Sequence, residues 1–237
     1  MSLRGTKMPV TKTALLAFVR SLDWTAVKAA LAGRPELLKY CGKRGENLLH
    51  VCCGIDIAKR GLRPADSIKT AQVLLDAGLD IDREAFREGT WKATPLWYAV
   101  GRGKNLLLAK YLLKRGANPE YCMWAAAFND SPAAIRLLVA AAAEIDPARG
   151  DTPLMFAVKW SRFAAAKALL ECGANANVQD RSGKTALHYM VKKRSDAKHI
   201  RMFLEHGANP YLEDRDGMTV HTALSRARDP RYRELGK

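Results

Sequence analysis

The 237-residue sequence lacks any apolar stretch long enough to cross a bilayer, and its longest N-terminal apolar run, Ala14 to Val19, is too short for a secretion signal. A cytoplasmic protein is the expectation. Cysteine is sparse: Cys41, Cys52, Cys53, Cys122 and Cys172 are odd in number and form no CxxC pair. That excludes a disulfide framework and a structural zinc site, and makes these thiols small core residues. No nucleophile elbow, HExxH or dinucleotide fingerprint is present, so no catalytic, cofactor or metal residue is assigned and the chain is not expected to be an enzyme. Gly101-Arg-Gly103-Lys104 is a fragment of a phosphate loop without the full spacing, with Asn105 where Ser or Thr is needed. The carboxylates Asp76, Asp80, Asp82 and Glu84 miss the EF-hand spacing and read as a solvated loop. His199, His206 and His221 lack metal-ligand spacing.

Acidic residues are also few. The 39 Lys and Arg outnumber 24 Asp and Glu, giving a formal charge of +15. Residues 1–70 carry 13 basic against 5 acidic groups, 71–147 are balanced, and 148–237 carry 17 against 10. Attraction for acidic partners is therefore concentrated at the two ends. Hydrophobic residues reach 48% and charged residues 27%, enough apolar surface for a folded core.

A repeat orders that material. Asp180-Arg-Ser-Gly183-Lys-Thr185-Ala-Leu-His188 is followed by Ile200 to Gly207-Ala-Asn. Thr94-Pro-Leu-Trp97-Tyr-Ala99 runs to Gly116-Ala-Asn118, and Thr152-Pro-Leu-Met155-Phe-Ala157 to Gly173-Ala-Asn175. Looser copies start at Asn47-Leu-Leu-His50 and Gly217-Met-Thr219. A Thr ahead of a helix caps its free N–H groups, and Pro fits the first helical position because that N–H has no partner. Gly116, Gly173 and Gly207 suit the left-handed residue that ends a helix. Each copy predicts helix, turn, helix and loop.

These motifs resemble the ankyrin repeat. The resemblance implies an all-α solenoid of about seven helix-turn-helix units with hairpin loops, beginning near 13, 47, 94, 121, 152, 185 and 219. It predicts a basic tail over 1–12, one repeat domain over 13–235 and a two-residue tail at 236–237. The last third keeps the family period of about 33 residues, whereas the middle does not. Ile55 to Asp66 is an insertion, and the finger after Gly116 is nearly missing, leaving a notch beside the longer finger 79–93. The cap at 219–235 turns Arg226, Arg228, Asp229, Arg231, Arg233 and Glu234 to water, which favours a monomer. His50 and His188 fall where the family uses the ring for structural hydrogen bonds, and Trp97 and Trp124 occupy that same slot and are expected in the core.

In the family, partners dock on a concave side made by finger tips and first helices. Carried over by position, this selects Trp91, Arg102, Phe128, Lys159, Trp160, Arg181, Lys184, Lys192, Lys193, Arg215 and Arg226, with Tyr98, Phe156 and Tyr189 one turn away. Aromatics and Arg are the residues of interface hot spots. The expectation is an adaptor or scaffold gripping a protein partner of acidic or mixed surface. Two alternatives stay open. The three one-turn-away rings also read as packing residues, and the basic ends, including Lys39, Lys43, Arg44, Lys59, Arg60 and Arg63, also suit nucleic acid or an anionic surface.

Overall fold

The computed structural model describes residues 10–85, 87–88, 91–147 and 151–236. The chain divides into two compact units, Met1–Tyr121 and Cys122–Lys237.

The first unit contains three helix pairs: α1 (Lys12–Ser21) with α2 (Trp24–Gly33), α3 (Leu48–Cys53) with α5 (Pro64–Asp76), and α6 (Pro95–Gly101) with α7 (Leu106–Lys114). First helices pack on first helices, α1 on α3 and α3 on α6, while α2, α5 and α7 form the second layer. Leu15, Val19, Leu48, Leu49, Leu74, Leu96, Leu108 and Leu112 are fully buried between them. No single pair could cover this apolar surface, so stability comes from neighbours. Short polar side chains set the helix starts. Asp23, Asn47, Thr94 and Asn105 each accept a backbone N–H from the first turn, a contribution of about 1 kcal/mol per cap. Thr13, expected at the first start, lies inside α1. Thr11 is the cap instead, accepting the Ala14 N–H at 3.1 Å, so α1 starts earlier than the repeat register suggests.

The inserted segment holds its own short helix, α4 (Ile57–Arg60), capped by Asp56 and closed by Gly61 at φ +62°. The finger beyond α5 contains a two-residue antiparallel pairing, β1 (Arg87–Glu88) with β2 (Trp91–Lys92). The shortened segment after α7 folds back on this finger, where the Asn118 N–H donates to Asp82 Oδ1 at 2.9 Å.

The second unit contains four pairs: α8 (Cys122–Phe128) with α9 (Pro132–Ala140), α10 (Pro153–Lys159) with α11 (Phe163–Glu171), α12 (Ala186–Lys192) with α13 (Ala197–Glu205), and α14 (Val220–Ser225) with α15 (Pro230–Leu235). Its layers are α8, α10, α12 and α14 on one side and α9, α11, α13 and α15 on the other. Thr152 and Thr219 cap as expected, and Ser131, which the repeat motif did not single out, caps α9. Arg162, before α11, has no cap bond of its own; Asp130 of the preceding pair takes the Ala165 N–H at 2.7 Å. Fingers are stitched to each other, with Arg215 N–H on Ser182 O at 3.0 Å and Asn209 N–H on Asn177 Oδ1 at 2.6 Å.

Glycine marks some turns and not others. Gly116, Gly173 and Gly207 lie at φ +88°, +94° and +80°, as their position in the motif predicts. The turns inside the pairs use other residues in the same region, Leu22, Lys104, Asp130, Ser161 and Arg194 at φ +49° to +58°. Each costs roughly 1 kcal/mol relative to glycine, and surrounding packing holds it.

Cys52, Cys53 and Cys122 are buried and Cys172 is half-buried, but Cys41 is exposed in the loop before α3, contrary to the expectation of a core thiol. Burial raises the Cys52 thiol to about 12 and lifts Cys53 well above its ordinary value, which keeps both protonated.

Candidate partner-binding face

The second unit brings three of the selected aromatics into one cluster. Phe128 ends α8, Phe156 lies on α10, and Trp160 follows α10 at its C-cap. Ring centroids are 5.7 Å apart for Phe128 and Trp160, 6.1 Å for Phe156 and Trp160, and 6.3 Å for Phe128 and Phe156. Phe128 remains 46% exposed and Trp160 53% exposed, so the patch faces solvent instead of closing a core. Arg162, which the motif did not select, lays its guanidinium 5.5 Å from the Phe128 ring, and its Nε has no hydrogen-bond partner. One edge-to-face and two tilted ring contacts, with a cation over the Phe128 ring, form an amphipathic surface of the kind a partner side chain can bury.

Beside the patch the expected cations behave differently from one another. Lys159 is only partly exposed: its Nζ lies 2.7 Å from both Asp151 carboxylate oxygens and 4.0 Å over the Tyr189 ring. Burial pulls the ammonium down, but hydrogen bonds to Asp151 and Tyr189 outweigh it and its pKa is raised. The Tyr189 hydroxyl donates to Asp180, whose carboxyl is lowered despite burial because Tyr189 and the Lys184 and Ser182 amides bond to its charged form. Burial and that same bond raise the Tyr189 phenol.

Lys193 reaches back to the Lys159 carbonyl at 2.6 Å, the Val158 carbonyl at 3.3 Å and Ser161 Oγ at 2.9 Å. A cation at a helix C-terminus satisfies open carbonyls. Lys193 therefore locks α12 to α10 while remaining exposed. Lys184 is likewise engaged, 3.6 Å from Asp214 and 4.0 Å from Asp216 in the next finger. Arg181, Lys192, Arg215 and Arg226 are exposed, with no side-chain ion pair among the described residues.

In the first unit Tyr98 is a core residue, 3% exposed, with its hydroxyl donating to Glu46 at 3.3 Å, which is the packing reading of that ring. Arg102 is exposed with its guanidinium 4.8 Å from the Tyr98 ring. The side chain of Trp91 lies outside the described residues.

The histidine slot shows its chemistry directly. His50 Nδ1 accepts the Asn47 N–H at 3.2 Å while Nε2 reaches the Ala93 carbonyl at 3.1 Å. His188 repeats this, with Thr185 N–H on Nδ1 at 3.1 Å and Nε2 3.2 Å from the Met218 carbonyl. Each ring ties its own helix cap to the residue just before the next pair's cap. Trp124, expected in the core, is half-buried, and its Nε1–H donates to the Asp151 carbonyl at 3.1 Å, the residue just before Thr152. Indole thus supplies the forward bond that imidazole supplies elsewhere. Desolvation lowers the His50 pKa to about 4, which suits a neutral structural ring and not a base at neutral pH. Among the described residues, no group of three His, Cys, Asp or Glu could hold a metal ion, and no helix is long and apolar enough to cross a membrane.

Paired helices in two layers, with capped starts and loops stitched to their neighbours, define a helical repeat protein. A family model for ankyrin repeats in three copies matches residues 96–180 and 122–216, about half of the chain, and the chain belongs to the ankyrin-repeat family. Such repeats generally serve as protein interaction modules. Among characterised proteins, the phosphocholine transferase AnkX of Legionella pneumophila is 31% identical over 140 residues, 54% of this chain and 14% of that protein. Human neurogenic locus notch homolog protein 4 is 47% identical over 55 residues, 23% of this chain and 3% of that protein. The chain thus spans a small part of these relatives. The ankyrin repeat domain of Bcl-3 superposes with a TM-score of 0.73 at 20% identity, covering 97% of this chain and 98% of that one. An ankyrin repeat domain from Acinetobacter baumannii gives 0.63 at 23% identity, covering 84% of this chain and 100% of that one.

Proposed function

We propose that the protein is an adaptor or scaffold that binds a protein partner through the aromatic patch of its second unit, with exposed cations around it steering the approach. The observation that carries this reading is the contact between Phe128 and Trp160 at 5.7 Å while both remain about half exposed. Two large rings held together in water lose apolar area to a partner at little entropic cost, because each has only two side-chain torsions to fix. Arg181, Lys192, Arg215 and Arg226 are the selected cations left to meet an acidic partner, whereas Lys159 and Lys193 hold the helices beneath. The partner is a protein, no catalytic step or cofactor is involved, and the chain acts as a cytoplasmic monomer.

The test compares capture of cellular proteins by the wild type and by a Phe128→Ala, Trp160→Ala variant of matched helicity by circular dichroism. Both side chains are exposed, so folding stability should change by less than about 1 kcal/mol. A partner whose capture falls about tenfold or more in the variant supports the patch, since a truncated hot spot costs about 2 kcal/mol or more. Equal capture by both would remove it.

A further inference from the structure

Two cavities adjoin in the first unit. One, about 370 Å³, lies among Arg20 at the end of α1, the loop of Lys43 and Arg44, and Arg102 at the end of α6. The other, about 320 Å³, is bounded by Arg20, Lys59 and Arg60. Both are also lined by Val51 and Gly54 of the α3 end and by Arg20, so the two cavities share a wall and lie side by side as one groove. All six cations are exposed. Glu46 and Asp56 are the carboxylates among the residues lining the two cavities, and both are already engaged. Glu46 accepts the Tyr98 hydroxyl at 3.3 Å and the Arg44 N–H at 2.9 Å, and Asp56 caps α4 while pairing with Lys59 at 3.8 Å. A groove with low-dielectric walls concentrates such a field.

We propose that this groove docks an extended acidic segment of a partner protein, independently of the aromatic patch on the second unit. Its shape and its aromatics favour a peptide over the other polyanions. Bases of a single strand need exposed rings to stack on. Here Tyr98 is buried and Tyr40 is half-buried with the Lys12 ammonium 4.8 Å over its ring. A flat layer of lipid headgroups would leave the cavities unfilled. A chain of Asp and Glu places carboxylates along the groove at peptide spacing, each able to take a paired hydrogen bond from an arginine.

The experiment is a fluorescence-anisotropy titration of the full chain with a labelled oligoglutamate peptide, at low and at physiological salt. The wild type is expected to bind with affinity that falls with salt. Arg20→Glu with Arg102→Glu should weaken binding by about tenfold or more. Reversing two exposed cations of the second unit that lie outside both proposed sites, Arg201→Glu with Arg228→Glu, should change it less than about twofold, separating the groove from net charge. Arg20→Gln with Lys43→Gln, which leaves the Tyr98 contact intact, should give a smaller loss in the same direction. The Phe128→Ala, Trp160→Ala variant should bind the peptide as the wild type does, so the groove and the patch fail separately. No binding by the wild type, no loss in the groove variants, or equal loss in the second-unit variant would overturn the proposal. So would an oligothymidylate of equal charge that binds more tightly than the peptide and is lost with the same groove residues.

Discussion

The two units apply one helix-pair scheme with different tolerance for extra residues. In the second, the turns inside the first three pairs close on a left-handed residue, Asp130, Ser161 or Arg194, with Arg162 N–H on Ala157 O and Ser195 N–H on Met190 O. In the first, the turn between α6 and α7 runs one residue longer, with Asn105 N–H on Ala99 O, and the extra residue is Gly103. A Cβ at Gly103 would lie 2.2 Å from the carbonyl oxygen of Cys53, the last residue of α3, and 3.2 Å from that of Ile55, where the inserted segment starts. The two departures in the first unit therefore fit each other: a bare backbone in one turn accommodates the chain that leaves α3 for α4. An irregular repeat can be as tightly determined as a regular one when its irregularities are in contact.

The sharpest way to break that fit is Gly103→Ala. A backbone carbonyl must move to admit the methyl group, and the expected cost is about 3 kcal/mol, seen as a lower urea midpoint for the chain. A cost below about 1 kcal/mol would mean the turn and the insertion are only loosely joined.

Acid should separate the units next. His50 is held neutral with its pKa lowered from 6.5 to about 4, so protons favour the unfolded chain between those values. Its stabilising contribution is complete above about pH 6.5 and declines as pH falls toward 4, by roughly 2 to 3 kcal/mol at the lower limit. Urea midpoints measured across that window should fall for the wild type and fall less for His50→Gln. Parallel curves would show that the ring is not the group that titrates.

The smallest expected effect lies in the second unit. Ala142 follows α9 at φ +58°, in the position that Gly116, Gly173 and Gly207 hold in other pairs. Ala142→Gly relieves this strain while loosening the unfolded chain, for a net gain of about 0.5 kcal/mol. A melting temperature that rises by a degree or two would agree, and a fall would show that the neighbouring packing wants the methyl group.

Much of the scaffold was legible because caps and glycines report local backbone needs. Thr94, Thr152, Gly116 and Gly207 could be placed from their neighbours alone. The turns at Lys104, Ser161 and Arg194 could not, since nothing in those side chains signals a left-handed backbone that packing imposes. The candidate site was legible in part for the same reason. Position in the repeat found Phe128 and Trp160, but whether a cation is free depends on what lies across the next helix. Lys192 and Lys193 are adjacent in sequence, yet one faces water and the other holds three atoms of the preceding pair. Arg162 was missed because its value comes from the ring above it.

The exchange of imidazole for indole at position 124 has a consequence for how such chains drift. The slot selects a proton at a fixed height above the helix, and two unlike heterocycles place it there. Substitution at that slot is filtered by where an N–H ends up and not by chemical kinship, so a repeat can lose its most recognisable letter and keep its mechanical coupling to the next.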